Sequence, residues 1–539
     1  MKLRFDPKNE ELIVSDATRI EYHQLNIWLT RHVKGYRYMP AFKMGVWNGK
    51  KSYFRDGKIN MGLWKECVKG CQEIGAPFVL ENKQDFPINR DVTFEDVENF
   101  CKDFFKHHKI KNKEGEWIPF MPYHHQIDTA YKILRNRFCM AEVATSGGKS
   151  LIISIVIFYT LKNLDPDAKF LLIVPSITLV TQFYDNVIEY NYGEKTLAEV
   201  RDDKIESILT GKEIHLPCDI RVEEIMSDKP RKHSGTKDAN VFIGTYQSLE
   251  KWPKEFFEQF HTVACDEAHG AKAKTVNTIL KRTFTHAYSR FGVSGTFPDD
   301  DSCEILNIQS VLGPKITEVS ADQLKKKGII TPMEVKVLVM NHADASFSEK
   351  LNAIRKGGFG KEAHLLEKDY IHVSGKRLDI ITKIVNKCES NSLVLFHSIE
   401  YGTKLFNTLK EALPDKEFFY IDGQVRNKER EEIKKQMENT DDGVKVLVAS
   451  YGTLSTGVSI NAIFNIIFAD SFKSEQIIIQ SIGRSLRLHS DKKKALIFDL
   501  VDTFTDIQPR NILYRHFLER EKFYKKRKYP YKITNIELS

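Results

Sequence analysis

The sequence predicts an α/β protein in which two successive parallel-sheet domains follow a small α/β domain. Short, uninterrupted apolar runs such as FLLIVP, VFIGT and TVACDE alternate with helical patterns. Such runs are typical of strands that are covered on both faces of a parallel sheet. The alternation breaks near LKKKGIITPMEV and restarts with LVLFH, VKVLVAS and NIIFAD. We therefore expect two separate parallel sheets joined by a short hinge.

The predicted domain boundaries follow from these changes in pattern. Residues 1–88 mix short apolar runs with glycine and lysine, and we expect them to form a basic accessory domain that binds nucleic acid. Residues 89–325 and 326–505 hold the two series of alternating strands and helices. The basic segment 506–539 is expected to form a helical tail. Residues 194–240 are polar and strongly charged, which favours an exposed insertion in the first of the two large domains.

The composition indicates a soluble, multidomain, cytoplasmic protein. The chain has 539 residues, 41% hydrophobic and 29% charged, and single cores rarely grow beyond about 250–300 residues. Its formal charge of +8 suits an anionic partner without requiring one. The eight cysteines lack the spacing of a zinc site and are expected to be reduced thiols. The charged N-terminus is no signal peptide, and no run approaches the ~18 uncharged apolar residues of a membrane span.

The stretch VATSGGKS, residues 143–150, is the first candidate for chemistry. It lies between a predicted strand and a predicted helix, where backbone N–H groups and the helix N-terminus would face an anion. Lys149 would contact the β- and γ-phosphates of a nucleotide, and the Ser150 hydroxyl would bind Mg²⁺. Val143 stands where the usual pattern has its first glycine, so the loop alone leaves a chance turn open. The other loop residues assigned to the nucleotide site are Thr145, Ser146, Gly147 and Gly148.

Two further motifs favour the nucleotide interpretation. TVACDEAHG ends a predicted strand in Asp266 and Glu267, at the edge of a parallel sheet where ligands bind. Asp266 is suited to the Mg²⁺ shell and Glu267 to polarising an attacking water. QSIGRSLR places Arg484 and Arg487 on one face of a helix, and a guanidinium suits the charge that develops on a transferred phosphoryl group. Together the motifs predict a phosphate-binding loop that holds a nucleotide with Mg²⁺; the resemblance described next implies that this nucleotide is ATP.

The order of these motifs resembles that of the superfamily 2 helicases. The matching stretches are VATSGGKS, IVPSITLVTQF, IGTYQS, DEAH, VSGTFP, LVLFHS, VASYGTLSTGVSI and QSIGRSLR, which span roughly residues 118–505. The resemblance implies two RecA-like domains that enclose ATP and couple its hydrolysis to movement along nucleic acid. The N-terminal GYRYMPAFKMGVWNGK is similar to that of phage recombination helicases. That likeness implies branched DNA as substrate, through fork regression, Holliday-junction branch migration, and D-loop and R-loop unwinding in phage recombination, repair and replication.

The same resemblance implies roles for further residues. Gln126 would bind the adenine edge, and Gly457 would line the nucleotide site. Ser294 and Thr296 of VSGTFP, together with His269 of DEAH, would couple hydrolysis to domain closure. The implied nucleic-acid contacts of the motor are Pro175, Ser176, Thr245, Gln247, Tyr451 and Thr453.

A basic stretch with interleaved aromatics points to nucleic acid outside the motor. Residues 31–58 hold eight Lys/Arg against a single acid, with six tyrosine, phenylalanine or tryptophan residues between them. This combination suits neutralisation of phosphates and stacking of bases at a fork or single strand. The alternative is that most of the aromatics form the core of a small domain and leave an exposed basic face. The residues assigned to the nucleic-acid interface are Arg37, Lys43, Trp47 and Lys50.

Several functional alternatives stay open from the sequence. The leading hypothesis is an ATP-driven helicase or translocase on branched DNA, with RNA–DNA hybrids and single-strand-binding or recombination proteins as further candidate partners in the cytoplasm of a phage-infected host. An RNA helicase or RNA–DNA hybrid unwinder would carry the same motor motifs, since a 2′-OH contact leaves no short motif. A nucleic-acid binding or annealing protein switched by ATP is a third possibility. A P-loop kinase would not explain the second domain with its paired arginines.

Overall fold

The computed structural model describes the chain apart from residues 90, 112–116, 194–216, 227–238, 273, 284–286, 440–442, 456–459, 461, 474–493, 505–506, 508–509 and 539. The chain divides into two compact units. Unit 1 comprises Met1–Ala144 and Gly148–Ser320, and unit 2 comprises Thr145–Gly147 and Ala321–Ser539. Among the described residues, no helix is both long and apolar enough to span a bilayer.

Unit 1 begins with a small mixed sheet and its helices, here called the N-terminal module (residues 1–89). Its elements are β1 (Lys2–Asp6), β2 (Glu11–Ser15), α1 (Arg19–Trp28), β3 (Thr30–His32), α2 (Pro40–Lys43), β4 (Lys50–Ser52), β5 (Lys58–Asn60), α3 (Trp64–Glu73) and β6 (Val79–Leu80). Four strands form one sheet in the order β5–β2–β1–β6, in which β1 is antiparallel to β2 and parallel to β6. Alternate residues of β1 and β2 are buried, Leu3 and Phe5 on one strand and Leu12 and Val14 on the other. This period of two gives the module one apolar face for packing.

The rest of unit 1 is built on a seven-stranded parallel sheet in the order β11–β12–β10–β13–β14–β9–β15. Its elements are α4 (Phe94–Phe104), β7 (Lys109–Lys111), β8 (Trp117–Pro119), α5 (His124–Asn136), β9 (Phe138–Val143), α6 (Lys149–Tyr159), β10 (Phe170–Val174), α7 (Ile177–Tyr192), β11 (Val222–Ile225), β12 (Val241–Thr245), α8 (Tyr246–Leu249), α9 (Lys254–Phe257), β13 (Thr262–Asp266), α10 (Lys274–Arg282), β14 (Ser289–Ser294), α11 (Cys303–Leu312) and β15 (Lys315–Val319). Strands β9, β10, β12, β13 and β14 are buried along their whole length, as their uninterrupted apolar runs predict.

The charged segment predicted at 194–240 contains a strand of this sheet. Strand β11 pairs in parallel with β12 at the sheet edge. Its sequence VEEI carries two glutamates, so it lacks the apolar run by which the central strands are recognised. The segments on either side, 194–216 and 227–238, lie outside the described residues.

The N-terminal module packs directly on the large sheet of unit 1, with which it shares a continuous apolar cluster that includes Leu12 and Met61 as well as Phe138 and Met140. The Tyr53 hydroxyl donates to the carbonyl of Cys303 or to Asn307 Oδ1, each 2.8 Å away. The boundary expected near residue 88 therefore separates two sheets inside one compact unit.

Unit 2 holds a second seven-stranded parallel sheet, in the order β18–β19–β17–β20–β21–β16–β22. Its elements are α12 (Ala321–Lys326), β16 (Met333–His342), α13 (Ala345–Lys356), α14 (Gly360–Val373), α15 (Gly375–Lys387), β17 (Ser392–Phe396), α16 (Ile399–Ala412), β18 (Glu417–Ile421), α17 (Asn427–Glu438), β19 (Lys445–Ser450), α18 (Tyr451–Ser455), β20 (Asn465–Phe468), β21 (Ala495–Phe504), α19 (Ile512–Lys526) and β22 (Tyr531–Leu538). The predicted fold class is confirmed: along the chain, two parallel sheets follow a small mixed α/β domain.

The C-terminal segment differs from the predicted helical tail. Helix α19 ends at Lys526, and the chain then forms β22, which pairs in parallel with β16 at the edge of the sheet. Pro530 cannot continue a helix, and the β-branched residues of YKITNIEL suit a strand. The second sheet therefore extends to Leu538, beyond the boundary expected at residue 505.

Buried ion pairs fasten two helices of unit 2 to strand β21. Arg520 on α19 forms a two-pronged pair with Asp499, at 3.0 and 2.8 Å, and the Tyr524 hydroxyl donates to the same carboxylate at 2.9 Å. Arg377 on α15 donates from Nε to Asp502 at 2.9 Å. Each guanidinium is no more than 1% exposed, so both pairs lie inside the core.

Candidate nucleotide-binding and nucleic-acid sites

The loop between β9 and α6 has the backbone of an anion-binding turn. Ser146 and Gly148 both adopt positive φ, 68° and 83°. A Cβ added at Gly148 would lie 2.1 Å from Nε2 of Gln126, so only glycine fits this position. Val143, at the place of the missing first glycine, is the fully buried last residue of β9 and pairs with Val319 of β15. Val143 is therefore part of the sheet, and the anion-binding turn begins after it.

The N-terminus of α6 follows the loop directly. Gly148 is the N-cap residue of this 11-residue helix, and no side chain in the described part of the chain caps it. The dipole of the helix favours an anion at this end. Lys149 and Ser150 are the first two residues of the helix, as the predicted phosphate and Mg²⁺ contacts require.

Gln126 lies against this loop from the preceding helix. It is 6% exposed, and its Oε1 accepts a hydrogen bond from the backbone N–H of Tyr123 at 2.8 Å. Its amide nitrogen faces Gly148. The predicted adenine-binding residue thus borders the phosphate loop, with its carbonyl oxygen fixed by Tyr123.

The acidic pair at the end of β13 lies beside the loop. Lys149 Nζ and Glu267 Oε1 are 2.9 Å apart, with side chains 13% and 19% exposed. Strands β13, β14 and β9 are neighbours in the sheet, so the loop, the acidic pair and Ser294 all follow the carboxyl ends of adjacent strands. This edge of a parallel sheet is where ligands bind in open α/β folds.

The two carboxyls have opposite pKa shifts. Burial and the charge of Glu267 raise the pKa of Asp266 to about 7. Burial alone would also raise the pKa of Glu267, but Lys149 and His269 outweigh it and hold that pKa well below the usual range. Glu267 is therefore the more readily ionised member of the pair.

Asp266 fits the Mg²⁺ role predicted for it. Its Oδ1 is buried and has no hydrogen-bond partner in the described part of the chain. A buried carboxylate oxygen without a donor is costly, and a hard cation with oxygen ligands would satisfy it. The hydroxyl of Ser150 supplies the same kind of ligand atom.

A hydrogen-bond network joins the acidic pair to the predicted coupling residues. Ser294 Oγ lies 2.8 Å from His269 Nδ1, 3.2 Å from Glu267 Oε2 and 2.8 Å from the carbonyl of Thr296. The Thr296 N–H donates to Ser294 Oγ at 3.4 Å. The Ser294 hydroxyl therefore links Glu267 and His269 to the backbone of VSGTFP.

The predicted nucleic-acid contacts of unit 1 lie together at one sheet edge. Pro175 and Ser176 follow β10, and Thr245 ends β12, the strand paired with β10. Thr245 is 3% exposed and caps α8 by accepting from the Ser248 N–H, whereas Gln247 is exposed.

The corresponding residues of unit 2 are mostly internal. Tyr451 is 3% exposed, and its hydroxyl donates to the carbonyl of Asp470 at 2.8 Å. Thr453 is also 3% exposed, and its hydroxyl lies 2.7 Å from that of Ser450. Contact with nucleic acid at this segment would therefore use the backbone. Gly457, Arg484 and Arg487 lie outside the described residues.

The N-terminal module has the exposed basic face expected of residues 31–58. Arg37, Lys43 and Lys50 are exposed, while Trp47 is half-buried and donates from Nε1 to the Lys50 carbonyl at 2.8 Å. The aromatics divide between the two expected roles. Phe54 is a core residue at 5% exposure, whereas Tyr38 is 82% exposed.

A buried pair between the module and the large sheet has no counterpart in the sequence analysis. Arg290 on β14 donates from Nη1 to Glu10 Oε1 at 3.0 Å and from Nη2 to Glu10 Oε2. Both side chains are at most 5% exposed. The available signal was an arginine inside the buried strand SRFGVS, since a charge in such a strand requires a partner.

Known protein families account for both large domains. Residues 123–305 match the DEAD/DEAH box helicase domain, and residues 376–489 match the helicase conserved C-terminal domain. Together the two matches cover more than half of the chain. The chain belongs to the DEAD/DEAH box helicases. The two large sheets are accordingly tandem RecA-like domains, and the helicase is an ATP-dependent enzyme with ATPase activity.

Individual relatives agree with this assignment. The ATP-dependent DNA helicase uvsW of Enterobacteria phage T4 is 26% identical over 540 residues, and the alignment covers 97% of each chain. The DEAD-box helicase Mss116 bound to single-stranded RNA has a TM-score of 0.52 at 16% identity, covering 78% of this chain and 76% of its own. The restriction-modification enzyme LlaBIII bound to DNA has a TM-score of 0.55 at 16% identity, covering 79% of this chain and 32% of its own. The two structures share the fold.

Proposed function

We propose that this helicase uses ATP hydrolysis to remodel branched DNA, by fork regression, branch migration of four-way junctions, and unwinding of D-loops and R-loops. The observation that carries the proposal is the similarity to the phage T4 DNA helicase. The aligned region is 97% of the chain and therefore extends over the N-terminal module. That module packs on the ATP-binding domain and exposes Arg37, Lys43 and Lys50. A basic surface fixed to a motor domain suits a substrate with more than one nucleic-acid arm.

At the ATP site, we assign the first step to Lys149. It contacts Glu267, and phosphate oxygens of a bound nucleotide would replace that carboxylate as its partner. Glu267 would then accept a proton from the attacking water, while His269 and Ser294 hold its second oxygen. Mg²⁺, held by Asp266 and Ser150, would supply positive charge against the phosphates.

The paired arginines complete the proposed site. Arg484 and Arg487 would place guanidinium groups against the charge that develops on the γ-phosphoryl group. Gly457 would line the nucleotide, and Gln126 would select adenine through its amide.

On the nucleic-acid side, we assign two sets of contacts. Pro175, Ser176, Thr245 and Gln247 in unit 1, and the backbone of Tyr451 and Thr453 in unit 2, would follow the phosphates of one strand. Arg37, Lys43, Trp47 and Lys50 would bind the further arm of the junction. Contacts to phosphates are independent of sequence and weaken with salt.

In an infected cell, such an enzyme would act in the host cytoplasm during phage recombination, repair and replication. Single-strand-binding and recombination proteins would share its substrates.

The experiment that tests this function compares steady-state ATP hydrolysis with no nucleic acid, single-stranded DNA, a four-way junction and single-stranded RNA. We expect the four-way junction to stimulate hydrolysis most. Lys149→Ala protein serves as the blank. Stimulation by RNA alone would replace the proposal with an RNA helicase, and no stimulation by any nucleic acid would favour a binding protein switched by ATP.

A second experiment tests the module's basic face. The Lys43→Glu/Lys50→Glu protein should bind the four-way junction more weakly, and the slope of log affinity against log salt should become shallower by about 1 for each phosphate that the variant no longer neutralises. Lys8→Glu/Lys83→Glu is the matched control, because both lysines are exposed on the same module, lie outside residues 31–58 of the sequence and give the same change in charge. Equal weakening by the two double variants would contradict a defined DNA-binding face.

A further inference from the structure

A groove in unit 2 is not used by the proposed mechanism. It encloses about 680 Å³ on one face of the second sheet, beside α15. Its floor is aliphatic and aromatic, formed by Leu338, Ile380, Leu496, Phe498 and Ile536. All five of these side chains are only half-buried, so the groove has apolar surface that the fold itself leaves partly open.

Among the described residues, one face of the second sheet is left partly uncovered at this groove. Along β16, Val335, Val337 and Val339 are buried, while Lys336 and Leu338 point to the groove side and are half-buried. Parallel sheets are ordinarily covered on both faces. Here the edge strand β22 adds width to the sheet, and α15 borders the groove with Ile380 and Ile384.

Lysines surround this apolar floor. Of the described residues, Lys336, Lys383, Lys387 and Lys494 line the groove, against one acidic residue, Glu389. Lys494 forms an ion pair with Glu334. Lys383 and Lys387 lie one turn apart on α15 and are exposed.

The groove lining includes the amino-terminal part of the central strands, with Ser390 just before β17, Asn465 at the start of β20 and Leu496 near the start of β21. The predicted nucleic-acid segment at Tyr451 and Thr453 follows the carboxyl end of β19 instead. Because these strands are parallel, that segment lies at the opposite end of the strands from this part of the lining.

We propose that this groove docks an acidic peptide segment of a partner protein, in which aspartate or glutamate alternates with leucine, isoleucine or phenylalanine. The apolar side chains would cover the floor, and the carboxylates would pair with the lysines of the rim. The lysines stand on α15, on β16 and before β21, so they suit several charges spread along a chain better than one headgroup at one end. Leu338, Ile380, Leu496 and Ile536 make the floor mainly aliphatic, and such a floor suits peptide side chains better than nucleic-acid bases, which bind by stacking on aromatic faces. The proposal is independent of which nucleic acid the motor uses.

The test uses the full-length protein and a panel of fluorescein-labelled dodecapeptides that alternate acidic with leucine, isoleucine or phenylalanine residues. Fluorescence anisotropy should find members that bind with Kd well below about 1 mM, and binding should weaken with salt. Peptides with serine in place of the apolar residues, or lysine in place of the acidic ones, should not bind. The Lys383→Glu/Lys387→Glu protein should bind about tenfold more weakly. The control is Lys350→Glu/Lys356→Glu, because both residues are exposed on α13 and give the same change in charge.

Each other outcome overturns the proposal. If no peptide of the panel binds, the groove is not a docking site for acidic peptides. Equal weakening by the control variant assigns the effect to net charge. Binding of dodecanoate at the groove without peptide binding indicates a small-amphiphile site. If a single-stranded oligonucleotide displaces the peptide and binds less tightly to the Lys383→Glu/Lys387→Glu protein, the groove is a nucleic-acid contact. ATP hydrolysis should be unchanged in the groove variant, which separates this test from that of the motor.

Discussion

The buried pair between Glu10 and Arg290 gives a sharp prediction about how the N-terminal module is held. Replacing Glu10 with glutamine keeps the shape of the side chain and removes its charge. Arg290 would then keep its positive charge at 2% exposure without the carboxylate that now binds both of its terminal nitrogens. Burial already lowers the pKa of Arg290, and the Glu10 carboxylate opposes that effect.

The expected cost is large because the pair is buried. Breaking a buried ion pair by removing one partner typically costs about 3–5 kcal/mol. For a unit of this size, each kcal/mol lowers the melting temperature by about 2 °C. We therefore expect Glu10→Gln to lower the melting temperature of unit 1 by about 6–10 °C.

The neighbouring residue supplies a matched control. Glu11 pairs with Lys58 at 3.0 Å, but the two side chains are 32% and 47% exposed. Exposed pairs contribute about 0–1 kcal/mol, so Glu11→Gln should shift the melting temperature by about 2 °C or less. Thermal unfolding followed by circular dichroism compares the two variants under one set of conditions.

Two results would refute this reasoning. The first is a Glu10→Gln protein that melts within about 2 °C of the Glu11→Gln protein. The second comes from a double-mutant cycle with Arg290→Met: if the two substitutions add fully, the residues do not act as a pair. We expect instead that the double variant is less destabilised than the sum of the single variants.

Three further predictions concern the motor. Lys149→Ala should abolish phosphate release while leaving junction affinity within about twofold, because the lysine is assigned to the nucleotide and to none of the nucleic-acid contacts; a variant that still turns over ATP would contradict the phosphate-loop assignment. Ser294→Ala should lower the strands displaced per ATP hydrolysed more than hydrolysis itself, since its hydroxyl links Glu267 to Thr296; equal losses in both assays would count against a coupling role. Arg487→Ala should lower kcat by at least about a hundredfold with little change in KM for ATP; a comparable loss of ATP affinity would argue against transition-state contact.

The central strands and the grouping of the candidate ATP-site residues were predictable because their signals are local. A strand that is buried on both faces has an uninterrupted apolar sequence, as FLLIV of β10 shows. The phosphate loop, Asp266–Glu267 and Ser294–Thr296 each follow such a run, and parallel strands bring their carboxyl ends to one edge. Val143 broke the strict loop pattern because the position belongs to the buried end of β9.

The features that escaped prediction depend on distant partners. Glu10 and Arg290 are 280 residues apart in the chain, and no short pattern connects them. Strand β22 is largely exposed and polar because it forms a sheet edge, so it lacks the apolar run of a central strand. Strand β11 was not predicted for the same reason. It also lies at a sheet edge, and its sequence VEEI contains two glutamates in place of an apolar run.

The most direct test of the account is ATP-driven strand movement on a four-way junction with one labelled strand, followed on a native gel. We predict that the wild-type protein converts the junction to forked products only when ATP is hydrolysed, and that Lys149→Ala protein binds the junction without converting it. Conversion to the same extent by Lys149→Ala protein, or an unchanged junction under conditions in which an RNA duplex is unwound, would contradict the assignment of this chain as a motor on branched DNA.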